Sequence, residues 1–288
     1  MIGRKLRITA LAVMPLVGFA LTLASFAADR ADAIAEGPDQ PNITYAISQQ
    51  GDSVHGYNLV GASQDPGLRV RYWGNLRTAK AVAVIVPGIE HFVSEFDDDD
   101  ATTPQVARTL PQQARALRSG PAGQNIAVIA WLGYRPPTVW AGALTSSQIR
   151  TGAANLAGLT DFMQQINQSA RLTWICHSYG SLICASALRA SSPNALAMVG
   201  SPGIHTDRAA DLPTTAEIWA GRGSGDVIEL TGLLILTGGG YGMDPAAPAF
   251  GARDIPCDPH TRHGEYFKQA TAQLAALQMI SRGNAVTL

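Results

Sequence analysis

The sequence predicts an α/β fold with a mostly parallel central sheet and helices on both faces. Three observations lead there. Short, continuous apolar runs recur along the chain, as in strands buried on both faces. Segments with helical spacing of apolar residues lie between them, and strands alternating with helices build a parallel sheet. The length of 288 residues and a hydrophobic share of 46% suit one large domain with an ample core.

The elements follow in order. Arg4, Lys5 and Arg7 precede an uncharged stretch from Ile8 to Ala28, and small-x-small sites occur at Ser25-Phe-Ala27 and Ala31-Asp-Ala33. Residues 1–33 therefore read as a secretory signal peptide, which implies a secreted or cell-envelope protein. The alternative is an N-terminal membrane anchor, since the apolar run is long enough to span a bilayer. Residues 34–42 read as a linker, and 43–288 as the folded domain. Leu68–Trp73 alternates with period two, as a half-exposed strand does. Buried strands are expected at Ala81–Val86, Ile126–Trp131, Leu172–Cys176, Ala195–Val199 and Glu217–Ala220, with a shorter one near Ala252 to Pro256. Helices are expected around Ala153, Leu156, Leu159, Met163 and Ile166, then from Ser181 through Leu182, Ala185 and Leu188, and last through Phe267, Ala270, Leu274 and Leu277. Leu230–Leu236 is apolar and suits either an acyl pocket or lid or a core element.

Composition excludes some classes. A net charge of −1 without a basic block excludes a nucleic-acid binder. No Cys/His spacing suggests zinc. The Asp97–Asp100 run lacks the glycine and closing glutamate of a calcium loop, so a solvated loop is expected. Neither a metal nor a cofactor is called for. Of Cys176, Cys184 and Cys257, two can pair in an exported protein, but spacing leaves the pair open. Cys176 and Cys184 also suit small buried positions.

The chemistry centres on "WICHSYGSL", residues 174–182. A strand, a tight turn carrying serine and a helix make up a nucleophile elbow. Here Ser178 is the tip, and Gly180 is the small residue two places on. Cysteine stands at 176, where glycine is usual. A serine hydroxyl needs a base, and the base an orienting acid. In chain order the acid precedes the base. His263, just before the last helix, is the expected base, ahead of His260; His205 comes too early. Asp226, at the end of Gly221-Arg-Gly-Ser-Gly-Asp226, is the expected acid, with Asp244 as alternative. The glycines also resemble a phosphate loop, but no helix with a Lys-Ser/Thr pair follows. The oxyanion donors are expected to be the backbone N–H groups of Tyr179 and Ile89, with Gly88 next. His91 lies close enough in sequence to touch substrate.

The chain resembles the α/β-hydrolase superfamily and, within it, an actinobacterial serine-hydrolase group formerly filed as a domain of unknown function. The stretches are "VAVIVPGIE" (82–90), "AVIAWLGYRPP" (127–137), "CHSYGS" (176–181), "MVGSPGI" (198–204), "DPAAPAFGARDIP" (244–256) and "HGEYF" (263–267). That group usually carries glycine at 176 and serine at 264. The resemblance supports Ser178 as nucleophile and His263 as base. The reading that results is an exported esterase or lipase-like serine hydrolase acting on a small-molecule or lipid ester. Peptidase, thioesterase or acyltransferase chemistry on the same triad, or a silent binding protein on the same fold, are the alternatives.

Overall fold

The computed structural model describes residues 38–59, 65–89, 91–136, 146–226 and 241–287. The expected leader at 1–33 and the Leu230–Leu236 segment lie outside these residues. Among the described residues no helix is long and apolar enough to cross a membrane.

The strands are β1 (Ile47–Asp52), β2 (Gly56–Leu59), β3 (Arg69–Trp73), β4 (Ala81–Val86), β5 (Ile126–Leu132), β6 (Arg171–His177), β7 (Ala195–Val199), β8 (Glu217–Gly221) and β9 (Arg253–Asp254). The helices are α1 (Ser94–Asp97), α2 (Leu110–Leu117), α3 (Gly120–Gly123), α4 (Ser146–Ile166), α5 (Gly180–Ala187) and α6 (Ala272–Arg282). One sheet runs in the order β1-β2-β3-β5-β4-β6-β7-β8-β9. The first three strands pair antiparallel, and β3 pairs antiparallel with β5. From β5 to β9 every pairing is parallel.

The continuous apolar runs are explained by cover on both faces. In β4, Val82, Val84 and Val86 enter one core, while Ala81, Ala83 and Ile85 enter the other. The first core is roofed by α4 and α5 through Leu156, Leu159, Met163 and Leu182. The second is roofed by α2 and α6 through Leu110, Leu117, Leu274 and Leu277. At 25 cal/mol per Å², burying each such side chain contributes about 1.5–3 kcal/mol. The central strands β4 and β6 pair along their whole lengths, from Ala81 opposite Arg171 to Val86 opposite Cys176. Their carboxyl ends therefore finish level, and the loops after them meet.

Four features differ from expectation. The hairpin β1–β2 carries polar residues, Ser48-Gln-Gln-Gly51 among them, and lacks an apolar run. The last helix starts at Ala272, not near Phe267: Ala270 takes a left-handed backbone (φ 57°), and the Thr271 side chain caps the helix by accepting from Leu274 N–H. Phe267 is buried in the second core from a turn. Residues 38–42, expected to be linker, run against α4: Asp39 pairs with Arg150 at 3.2 Å, and Asn42 N–H donates to Asn155 Oδ1 at 2.9 Å. In the acidic run, the Asp99 carboxylate is buried against the Arg115 guanidinium, with both contacts 2.7 Å. Among the described residues no group of three His, Cys, Asp or Glu side chains could hold a metal ion.

Candidate active site

β6 ends at His177, and the chain reverses at once into α5. Ser178, between them, has φ 54°, a left-handed backbone that costs a non-glycine residue roughly 1–2 kcal/mol. Its N–H donates to the Val199 carbonyl of the neighbouring strand at 3.0 Å, which helps hold the turn. The turn also demands glycine on both sides of it. A Cβ at Gly180 would lie 2.5 Å from the Pro87 carbonyl oxygen, and one at Gly88 would lie 2.6 Å from Ser178 Cβ. The loop after β4 is thus pressed against the serine.

His263 lies in the loop between β9 and α6. Its Nε2 is 2.9 Å from Ser178 Oγ, and its Nδ1 is 2.9 and 3.0 Å from the two Asp226 oxygens. Since a carboxylate only accepts, Nδ1 carries the proton and Nε2 presents its lone pair to the serine hydroxyl. Ser178 and the Asp226 side chain are fully buried, and the His263 side chain is 12% exposed. Arranged this way, the three groups can pass the hydroxyl proton to the imidazole while the carboxylate balances the charge.

The glycine-rich turn after β8 fits the acid closely against the base loop. A Cβ at Gly223 would come 2.2 Å from the Thr261 carbonyl oxygen, and one at Gly225 2.5 Å from that of His260. Asp226 N–H donates back to the Gly223 carbonyl at 3.0 Å. These glycines serve close packing of two loops, not a phosphate. From α6, Gln273 ties the base loop together: Oε1 accepts from Asp258 N–H, and Nε2 donates to Thr261 Oγ1 and the Glu265 carbonyl.

The alternatives lie elsewhere. Asp244 pairs with Arg222 at 3.1 Å and accepts from Ala246 N–H, as a turn residue does. His260 is exposed, and its N–H donates to Ser224 Oγ. The His205 ring lies edge-on to Tyr241, with centroids 5.4 Å apart. His91 is buried, with Nδ1 3.0 Å from the Glu95 carboxylate, which also accepts from Leu110 N–H. It braces the loop after β4. That loop holds Ile89, which is buried, and Tyr134 O–H donates to the Pro87 carbonyl at 2.6 Å. Tyr179 is buried at the start of α5, edge-to-face with Tyr241.

Several residues escaped the sequence reading. Tyr266 O–H donates to Asp226 Oδ2 and accepts from Gly223 N–H at 3.2 Å. Burial, then the Asp226 charge, pushes its pKa far above the usual phenol value, so it stays a donor. Its place three residues after His263 was the available signal. His177 Nε2 is 2.8 Å from the His263 carbonyl oxygen. Cys176 and Cys184 are joined in a disulfide, with Cα atoms 6.6 Å apart, and Cys257 is free. Burial first, then the charge of Asp254, pushes the Cys257 thiol up to about 12.

A family model described as alpha/beta hydrolase matches residues 63–235, more than half of the chain. An uncharacterized protein of Mycobacterium tuberculosis is 29% identical over 251 residues, spanning 73% of this chain and 36% of its own length. One from Mycobacterium bovis is 27% identical over 147 residues, 48% of this chain and 53% of that one. The chain thus spans only about a third to a half of the length of these relatives. Among solved structures, carboxyl esterase 2 of the fungus Tuber melanosporum shares 12% identity, with coverage of 90% and 97% and a TM-score of 0.45. A Xanthomonas campestris protein titled an a/b serine hydrolase without lid shares 18%, with coverage of 75% and 87% and a TM-score of 0.41. With a mostly parallel sheet, a serine on a strained turn between β6 and α5, and a family model spanning that turn, this chain belongs to the α/β-hydrolase family.

Proposed function

We infer that the protein is an exported carboxylic-ester hydrolase working through an acyl-enzyme. One observation carries the reading: the unbroken hydrogen-bonded chain from Ser178 Oγ through His263 to Asp226, set at the carboxyl end of the central strand. In this reading Ser178 Oγ attacks the acyl carbon as its proton passes to His263 Nε2. The Tyr179 and Ile89 N–H groups stabilise the oxyanion. Among the described residues neither N–H is engaged elsewhere, which leaves both for substrate. The alkoxide leaves with the proton from His263, and water, activated by the same imidazole, releases the acid. Every step uses groups of the protein and water alone. The Cys176–Cys184 disulfide supports export, since such bonds persist in oxidising compartments.

The test is a series of p-nitrophenyl esters of increasing chain length, read beside a fluorophosphonate probe. Ester turnover and one label per chain at Ser178, both lost in Ser178→Ala, are expected. Labelling without ester turnover would point to peptide or thioester chemistry. An unlabelled, inactive wild type would point to a silent binding protein.

A further inference from the structure

His177 adjoins the nucleophile on one side and touches the base on the other. Strand parity explains this. Cys176 faces the core under α5, while Ile175 faces the second core, which also holds Tyr266 and Phe267. His177 lies on that second face, beside the base loop. Its Nε2 is 2.8 Å from the His263 carbonyl oxygen, although the residues are 86 positions apart. A carbonyl only accepts, so the ring must be the Nε2–H tautomer. The two imidazoles also stack, with centroids 4.6 Å apart and planes tilted by 39°; the Tyr266 ring lies 5.7 Å away. His177 Nδ1 is buried and has no hydrogen-bond partner among the described residues.

The geometry points to His177 as a positioning residue that, as a neutral donor, holds the His263 main chain and packs against its ring, fixing the base beside the adjacent nucleophile. Neutrality follows from the surroundings. A second proton on Nδ1 would be a buried donor without an acceptor. It would also place a charge against an imidazole that must itself become positive. The groups facing the ring are His263 and Tyr266 from the base loop, Asp226 from the loop after β8, and His91 from the loop after β4. Burial first, then His263 and His91, holds the His177 pKa well below the ordinary histidine value. A neutral ring face beside the His263 imidazolium is attractive, as in other contacts between a cation and a π face.

The role rests on the ester-hydrolase reading, and the experiment separates the two. Wild type, His177→Phe, His177→Gln and Ser178→Ala are compared for p-nitrophenyl butyrate kinetics, fluorophosphonate labelling rate and Tm. Phenylalanine keeps the ring packing and loses the donor. Its kcat should fall about 10–100-fold, with KM within roughly twofold, as for other groups that orient a reacting side chain. Glutamine restores an N–H near the same place and should recover to within about threefold of wild type. Equal kcat in the two variants, whether unchanged or equally lost, would overturn the role. ¹⁵N NMR of the wild type, which depends on no variant folding, should show His177 as the neutral Nε2–H tautomer at neutral pH. An Nδ1–H or doubly protonated ring would also overturn it. A wild type with neither turnover nor labelling refutes the ester-hydrolase reading itself. An active wild type with an unimpaired phenylalanine variant refutes only the role of His177.

Discussion

Asp226 is held by more contacts than one imidazole partner alone would give it. Both of its oxygens face His263 Nδ1, one also accepts from Tyr266 O–H, and its backbone is turned back on Gly223. A carboxylate so placed fixes one tautomer, and its amide would fix the wrong one. Asp226→Asn should therefore lower kcat by about 10³–10⁴ with little change in KM in ester kinetics. Asp244→Asn, which only releases Arg222, should lose less than about tenfold. If Asp244→Asn were the more damaging, the acid would be misassigned. Tyr266→Phe strips a donor from a buried carboxylate. Urea unfolding should show a loss of about 1.5–3 kcal/mol, the worth of a hydrogen bond to a charged group. An unchanged midpoint would mean that water takes the place of the hydroxyl. At this scale the meeting of Ser178, His263 and Asp226 was legible, because chain order and turn chemistry restrict where they can lie. Tyr266 and His177 were not, because the contacts that define them reach 40 and 86 residues along the chain, and Gln273 was not, because sequence spacing does not orient its side chain toward the loop 8 to 15 residues before it.

Between β6 and α5 the disulfide closes a loop around the serine turn, spanning eight positions. In the chain-entropy view a loop of this length contributes about 2–3 kcal/mol. The double variant Cys176→Ala/Cys184→Ala should melt roughly 5–10 °C lower by calorimetry in a chain of this size. An unchanged Tm would show that the bond only spans a turn already fixed by packing. The single change Cys176→Gly, which brings in the usual elbow residue, also breaks this bond and so cannot be read as a test of size alone. Sequence spacing left the pairing open, and the fold accounts for it. Cys176 shares the face of Trp174 under period two, and that face meets the helix that carries Cys184. The buried strands were legible because being covered on both sides leaves an uninterrupted apolar run. The hairpin β1–β2 has no such cover and no such run, and α6 lost its expected first turn to a backbone reversal at Ala270.

For the molecule as a whole, a histidine buried in its neutral form couples folding to pH. The folded-state pKa of His177 lies well below the ordinary value, while the unfolded chain titrates near 6.5. Below that pH the unfolded state takes up a proton that the folded state refuses, so stability falls as pH falls. The slope from this one group approaches about 1.4 kcal/mol per pH unit. His177→Gln should flatten the acid side of a urea-derived stability profile between about pH 7 and 5 by up to that amount. Identical slopes in the two proteins would place the proton elsewhere. The irregular register of β1 against β2 has a consequence of another kind. The pairing slips between Ile47 and Gly51, so the outer rim of the sheet presents a broken ladder of amides and carbonyls. At the opposite rim β9 offers only two residues. Among the described residues a second chain seeking to add a strand finds no long, straight template at either rim, a feature that works against edge-to-edge aggregation of a protein with so apolar a centre.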